Sequence, residues 1–175
     1  MKIMRAITDQ TAIARMAESL RRTHPRLALL WNLGTSTGLR ISDMLRLKIA
    51  DIDKNGEISI TESKTKNVRH IKLTQELKQD VNFLKLIYRM KLTHYLFFRN
   101  ENQKEIPLSR QWAHRVIART ASRMALDSIG AHSMRKIYAC NLFRSTGSVK
   151  SVQNELGHKH MSTTLIYLKD LLEKS

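Results

Sequence analysis

The hydrophobic residues of this chain follow helical spacing everywhere except over one short segment, residues 48–73. In that segment apolar and β-branched residues alternate with polar ones, after an Asn55-Gly56 pair that is typical of a tight turn. The alternation predicts a small antiparallel sheet of about three short strands. Its second turn would span residues 64–67.

Helical patterns on both sides of this segment predict the rest of the fold. Apolar residues three and four apart begin near residue 13, return after the sheet and continue to the C-terminus. Pro25 can open a helix, Ser109 can cap another, and Gly147 can end a third. We therefore predict an α+β domain that is mainly α-helical, with one small three-stranded antiparallel sheet.

The charge of the chain indicates a polyanionic partner. Its 175 residues suit one domain with a proper core, and 42% of them are hydrophobic. Thirty-one Lys and Arg residues against fifteen Asp and Glu give a formal net charge of +16. Such an excess predicts nucleic acid as the first candidate partner. The alternatives are a protein that is basic only for solubility and one of ribosomal type.

The single cysteine, Cys140, excludes an intramolecular disulfide and a zinc site built from cysteines. It lies in an apolar helical stretch, which predicts a buried, inert thiol. The sequence shows no apolar run of membrane-spanning length, and its first residues lack the apolar segment of a signal peptide. These observations predict a cytoplasmic protein with no membrane partner.

Six residues in separate motifs carry groups suited to phosphodiester chemistry. They are Arg40, Lys64, His132, Arg135, His158 and Tyr167. Guanidinium, ammonium and imidazole groups can surround a phosphate with positive charge and hydrogen-bond donors, and a tyrosine can then attack it. Each residue alone has an ordinary alternative, such as a solvated arginine, a polar hairpin turn or a helix-capping histidine. Together those alternatives would require several coincidences in one order.

The last predicted helix separates an apolar row from a polar one. The predicted buried row has spacings of four, three and four: Met161, Leu165, Leu168 and Leu172. Tyr167 shares its row with polar residues: Thr163, Asp170 and Lys174. We therefore predict that the phenol of Tyr167 faces a surface or a cleft.

Together these motifs resemble the catalytic domain of the tyrosine recombinases, which include phage integrases. The resemblance covers residues from about 10 to 172 and rests on Thr-Gly-Leu-Arg-Ile-Ser-Asp, a lysine in a β-turn, His-x-x-Arg, and Leu-Gly-His with a tyrosine nine residues later. It implies the catalytic-domain fold of DNA breaking–rejoining enzymes and catalytic roles for the six residues. Lys66 stands where the family usually has glycine, and it is the alternative to Lys64. The residues expected to contact DNA are Arg40, Lys64, Lys66 and Arg135.

The resemblance also implies a mechanism without a metal, ATP or other cofactor. Tyr167 would attack the scissile phosphate, form a 3′-phosphotyrosyl link and release a 5′-hydroxyl. The two arginines and His158 would stabilise the charged phosphorus centre. Lys64 would protonate the leaving oxygen, and His132 would act as a base near the phenol.

The implied partner is double-stranded DNA, bound by a monomer that assembles into a homotetramer on paired sites. The last helix is the expected coupling element, and an accessory DNA-bending protein is a further candidate partner. Because the family usually carries an N-terminal core-binding domain, we expect residues 1–175 to be a catalytic domain without it. Two alternatives stay open: a type IB topoisomerase, which only relaxes DNA, and a non-catalytic DNA-binding regulator.

Overall fold

Helices form most of the computed structural model, which describes residues 9–126 and 128–172 apart from the side chain of Asp170. The helices are α1 (Gln10–Thr23), α2 (Pro25–Thr37), α3 (Ile41–Met44), α4 (Gln75–Ile87), α5 (Arg110–Arg123), α6 (Ser133–Thr146), α7 (Val149–Leu156) and α8 (Met161–Leu172). The strands are β1 (Glu57–Thr61) and β2 (Val68–Lys72). The predicted α+β, mainly helical class is confirmed.

Local sequence signals set the helix boundaries where they were predicted. Pro25 occupies the first turn of α2, where its missing N–H costs no helical hydrogen bond. The Ser109 side chain accepts a hydrogen bond from the backbone N–H of Trp112 and caps α5. Gly147 ends α6 in the left-handed conformation. Within the described ranges, no helix combines the length and the apolar character needed to cross a bilayer.

The sheet has two strands in the described part of the chain, so the prediction of three was wrong. β1 and β2 pair antiparallel around the turn at residues 62–67. The preceding segment forms a 3₁₀ turn, Ile49–Asp51, because the Asp51 carboxylate accepts the backbone N–H of Lys48 at 2.8 Å. After that turn only Ile52 pairs with Ile58, as an isolated bridge. The apolar alternation is real, but residues 47–50 form backbone hydrogen bonds with residues 92–96 and do not extend the β1–β2 ladder.

Two apolar clusters meet along α6 and set the position of its N-terminal end. The larger cluster surrounds α2, whose Trp31 and Leu30 are fully buried, and α2 packs against α1, α4 and α6. The smaller cluster joins α6 to α7 and α8 and includes Cys140 and Leu168. The predicted burial of the Cys140 thiol is confirmed.

The apolar row predicted for the last helix is wrong. Three of its members are exposed: Met161 at 38%, Leu165 at 43% and Leu172 at 42%. The helix instead packs on α6 and α7 through the row that contains Thr164, Tyr167 and Leu168. The prediction ranked residues by hydrophobicity, but a threonine and an aromatic ring fill this interface. Of the polar row proposed for Tyr167, Lys174 and the side chain of Asp170 lie outside the described residues.

The end of α2 provides a test of this packing. Gly38 has a φ of 64°, and a Cβ placed there would lie 2.3 Å from Cδ1 of Tyr138. Gly147 has the same φ with open space around it. We expect Gly147→Ala to lower the free energy of unfolding by about 1–2 kcal/mol, the cost of the left-handed conformation. Gly38→Ala should lower it by a further ~1–3 kcal/mol through overpacking.

Urea denaturation of both variants measures this difference directly. An equal loss of unfolding free energy in the two variants would show that Tyr138 does not press against the end of α2.

Candidate active site

All six residues singled out by the sequence line one cleft of the structure. The cleft lies where the end of α2, the β1–β2 turn, the start of α6 and helices α7 and α8 meet. The predicted residues that line the cleft are Arg40, Lys64, His132, Arg135, His158 and Tyr167. Lys66 is not among the lining residues; it is exposed on the same turn with a φ of 59°. That left-handed backbone explains why glycine suits this position.

Backbone breaks place these side chains at the cleft. Gly38 turns the chain at the end of α2, and Arg40 follows in extended conformation before α3. His132 precedes α6 as its N-cap in helical conformation, and Arg135 lies in the first turn, so the two side chains point to the same side. Gly157 ends α7 in the left-handed conformation, which directs His158 back toward α8. Four chain segments far apart in sequence thereby converge on one site.

The hydroxyl of Tyr167 contacts His132. Its oxygen lies 2.7 Å from Nε2 of His132, a hydrogen bond of good length. Burial raises the pKa of Tyr167, and the nearby charges of Arg135 and Arg40 oppose that rise. Burial, helped by Lys136 and Arg135, lowers the pKa of His132. A neutral imidazole beside the phenol is therefore the stable state near neutral pH, and it can accept the phenolic proton.

His158 stands on the other side of the tyrosine ring. The two rings meet edge to face with centroids 4.8 Å apart, and Nδ1 of His158 lies 3.0 Å from the hydroxyl oxygen of Thr164. Burial, followed by the charges of Arg135 and Arg40, lowers the pKa of His158 from 6.5 to about 4. When Nδ1 accepts a hydrogen bond from the Thr164 hydroxyl, the hydrogen of the neutral ring is on Nε2, which can donate a hydrogen bond to an oxyanion.

Arg135 is anchored by backbone carbonyl groups. It is 3% exposed and donates hydrogen bonds to the carbonyl oxygens of Gly38 and Leu156, at the ends of α2 and α7. Burial lowers the pKa of Arg135, and Arg40 adds to that effect, but a guanidinium remains charged near neutral pH. These bonds fix the guanidinium in the floor of the cleft.

Sequence reasoning missed the carboxylates that support these cations. Glu62 is buried, and its Oε2 lies 2.9 Å from Nη1 of Arg40. Asp43 is also buried and accepts the backbone N–H of Ser63 at 3.1 Å, which joins α3 to the Lys64 turn. A signal for Glu62 was present, because it continues the inward alternation of Ile58 and Ile60 along β1. Ser42 lies in the motif around Arg40, and Thr163 lies in the polar row of Tyr167, but neither was singled out as a site residue. Arg110 lines the cleft without any such signal.

The cleft is suited to an anion. Its lining includes four basic side chains, those of Arg40, Lys64, Arg110 and Arg135. Within the described part of the chain, no carboxylate lines it. Fixed cations and hydrogen-bond donors around one nucleophile are the arrangement that stabilises charge developing on a phosphate.

The lowered pKa of His158 predicts a specific pH dependence of stability. Between the ordinary value of 6.5 and about 4, the unfolded chain binds a proton at this residue and the folded chain does not. The free energy of unfolding should therefore fall as pH drops through this window. We expect His158→Asn to remove part of the fall, whereas His160→Asn, at an exposed position two residues away, should retain it. Urea denaturation at pH 6.5 and 4.5 checks this; equal slopes in the wild type and His158→Asn would contradict it.

Comparisons with known proteins identify the family of the chain. A model of the phage integrase family matches residues 7–173. The chain is 31% identical over 168 residues to the probable integrase/recombinase YoeC of Bacillus subtilis, covering 96% of this chain and 91% of that relative. It is 33% identical over 136 residues to tyrosine recombinase XerD of Corynebacterium glutamicum, covering 75% of this chain and 44% of that protein.

Solved structures show the same fold. The crystal structure of XerA recombinase aligns with a TM-score of 0.76 and 20% identity, covering 99% of this chain and 66% of the other. XerH recombinase, in a post-cleavage complex with a palindromic difH substrate, aligns with a TM-score of 0.71 and 24% identity. The alignment covers 99% of this chain and 52% of that protein. The chain thus spans nearly all of one relative and about half of others. It belongs to the phage integrase family of tyrosine recombinases.

Proposed function

We propose that this chain is the catalytic domain of a site-specific DNA recombinase that cuts and rejoins strands through a 3′-phosphotyrosyl link at Tyr167. One observation carries the proposal above the others. The hydroxyl of Tyr167 lies 2.7 Å from the neutral imidazole of His132, inside a cleft lined by four cations. A nucleophile, its proton acceptor and a charge-stabilising surround therefore occupy one site.

In the proposed first step the phenol proton passes to Nε2 of His132 as the Tyr167 oxygen attacks the phosphorus. The bond from phosphorus to the 5′-oxygen breaks, and Lys64 gives that oxygen a proton. Negative charge collects on the two non-bridging oxygens, where Arg40, Arg135 and His158 can donate hydrogen bonds. Charge stabilisation of this kind commonly lowers the activation barrier more than any other single effect.

In the second step a 5′-hydroxyl of another strand attacks the phosphotyrosyl phosphorus and displaces Tyr167. The number of phosphodiester bonds is unchanged, so no nucleotide is consumed. The same residues act in reverse, with Lys64 accepting the proton and His132 returning one to the phenol.

The proposed substrate is double-stranded DNA, held partly by α5. This helix starts at the cleft with Arg110, and four further basic residues on it are exposed: His114, Arg115, Arg119 and Arg123. Lys66 adds a cation on the neighbouring turn. Contacts of this kind neutralise phosphates, so DNA affinity should fall steeply with salt.

Two alternatives to recombination remain testable. A type IB topoisomerase would use the same covalent step but reseal the same strand, and exchange between two DNA sites separates it from a recombinase. A non-catalytic DNA-binding regulator would form no covalent adduct. The recombinase is favoured because the relatives from Bacillus subtilis and Corynebacterium glutamicum are named as integrases and recombinases.

The finer parts of the proposal concern assembly and context. Residues 1–175 form one catalytic domain, monomeric when free and tetrameric on paired DNA sites, with a DNA-bending protein as a candidate accessory partner. Support for assembly comes from α8, where Leu165 and Ile166 are exposed apolar residues beside the tyrosine. We place the protein in the cytoplasm, where its single cysteine would stay reduced.

The nucleophile is tested by Tyr167→Phe. Because only the hydroxyl is lost, we expect no covalent adduct on a nicked suicide duplex and nearly unchanged non-covalent binding. Tyr138→Phe is the matched control: its hydroxyl contacts Glu155 at 3.3 Å and lies outside the cleft lining. Denaturing gels detect the adduct, and an adduct formed by Tyr167→Phe would exclude Tyr167 as the nucleophile.

The general acid is tested with a 5′-bridging sulfur substrate, whose leaving group needs no proton. We expect Lys64→Ala to slow cleavage of ordinary DNA by ~10²–10⁴-fold. The sulfur substrate should restore its rate. Lys66→Ala, on the exposed side of the same turn, should cleave both substrates at nearly the wild-type rate. Selective rescue of Lys66→Ala would transfer the role to Lys66.

Assembly is tested by Ile166→Ser, with Phe83→Ser on α4 as the control at a similarly exposed apolar position. Sedimentation should show a monomer without DNA and, for the wild type and the control, a tetramer on paired sites. Ile166→Ser should still cleave a single suicide site but assemble poorly. Equal assembly by both variants would contradict a role for α8.

A further inference from the structure

Glu62 is a buried carboxylate surrounded by three guanidinium groups. It is 3% exposed and follows the last residue of β1. Its Oε2 lies 2.9 Å from Nη1 of Arg40, and its Oε1 lies 3.9 Å from Nη1 of Arg135. Arg69 on β2 completes the group, with Nη1 at 4.0 Å. A buried carboxylate stays charged only when it is paired in this way, so the cluster is a strong local constraint.

The contact between Glu62 and Arg40 holds the buried side of the guanidinium. Nη1 of Arg40 is buried and lies 2.9 Å from Oε2 of Glu62, without good hydrogen-bond geometry in the described part of the chain. The side chain of Arg40 is 18% exposed and lines the cleft. The carboxylate therefore holds the arginine by charge from its buried side, and the part that lines the cleft can receive an anion.

The backbone of Glu62 closes the turn that contains Lys64, and its side chain also contacts that turn. Its backbone N–H donates to the carbonyl of Asn67, and its carbonyl accepts the N–H of Lys66. The hydroxyl of Thr65 donates to Oε2 of Glu62 at 2.6 Å. Replacing the carboxylate by an amide removes the charge, leaves the backbone bonds in place and keeps one side-chain oxygen that can accept the Thr65 hydroxyl.

We propose that Glu62 is a positioning residue for strand cleavage: its carboxylate holds Arg40, and with it Arg135, in the orientation that receives the scissile phosphate. This inference rests on the proposed function of the cleft. It assigns to Glu62 an effect on the rate of the covalent step and no contact with DNA.

The sign of the effect separates positioning from simple electrostatics. A negative charge near the phosphate opposes the charge that develops on phosphorus, so its removal alone would speed cleavage. Removal of a positioning group would slow cleavage, because the arginine donors no longer meet the transition state. The two accounts predict opposite changes for the same substitution.

The experiment compares Glu62→Gln with Glu57→Gln, which removes the same charge from the exposed opposite end of β1, where Glu57 pairs with His70. Covalent adduct formation on a nicked suicide duplex is followed in single turnover over a range of DNA concentrations. We expect the limiting rate of Glu62→Gln to fall by ~10²-fold, by analogy with loss of one transition-state donor. The half-saturating DNA concentration should change little, and Glu57→Gln should match the wild type.

A 5′-bridging sulfur substrate locates the defect. That leaving group does not need a proton from Lys64. A decrease in limiting rate that acts through the arginines should therefore remain on the sulfur substrate, and this is the result we expect. Full rescue would mean that Glu62 acts through the Lys64 turn, and this would overturn the proposal. A wild-type or faster limiting rate for Glu62→Gln on ordinary DNA would also overturn it.

Glu62→Asp covers the case in which the glutamine variant does not fold. It keeps the charge but shortens the side chain by one methylene, so its limiting rate should lie clearly below the wild-type rate; equality would overturn the proposal. If the wild type forms the adduct and the Glu62 variants form it equally fast, the inference about Glu62 is rejected and the proposed function still stands. No adduct from the wild type rejects the proposed function, and the inference with it.

Discussion

The ion cluster around Glu62 is the interaction on which the arrangement of the cleft depends. It joins the sheet to three helical segments, because Arg40 follows α2, Arg135 belongs to α6, and Arg69 reaches Glu155 on α7 at 2.5 Å. These segments are separated widely in sequence. One carboxylate shared among guanidinium groups offsets the mutual repulsion of the cations and keeps them close together. The hydrogen bonds from Arg135 to the carbonyls of Gly38 and Leu156 add to this constraint.

Burial and the crowding of positive charge determine the protonation states of the cleft. Burial first, and then the nearby arginine and lysine charges, lower the pKa values of His158 and His132, so both imidazoles are neutral near neutral pH. Burial favours the protonated phenol of Tyr167, while Arg135 and Arg40 oppose that preference. The free site is therefore a neutral phenol beside a neutral base, and a bound phosphate would supply the anion that the cations lack.

The sequence predicted best those features, such as helix starts, that are determined by residues within one turn of each other. Pro25 and Ser109 set helix starts because their effects act within one turn. The six motif residues were found because phosphate chemistry demands particular side chains, and the structure places them in one cleft. The prediction of a third strand was wrong because residues 47–50 form their backbone hydrogen bonds with residues 92–96, a distant partner that alternation does not reveal.

The packing of α8 and the role of Glu62 depend on tertiary contacts, so the sequence pattern did not show them. The helix buries Thr164 and Tyr167 rather than its apolar row, because the partner surface of α6 and α7 selects the face. Glu62 looked like an ordinary polar residue next to a turn, although its position on the inward face of β1 was readable. A charged residue at an inward position of an alternating strand is the pattern to follow in related sequences.

The central claim is that Tyr167 becomes joined to the 3′ end of a cleaved strand. The most direct measurement is mass spectrometry of the peptide released by proteolysis of a covalent complex trapped on a nicked duplex, with the two DNA ends labelled differently. The account predicts one modified peptide, with a 3′-phosphonucleotide on the phenolic oxygen of Tyr167. A nucleotide linked through its 5′ end, or one attached to any other residue, would contradict it.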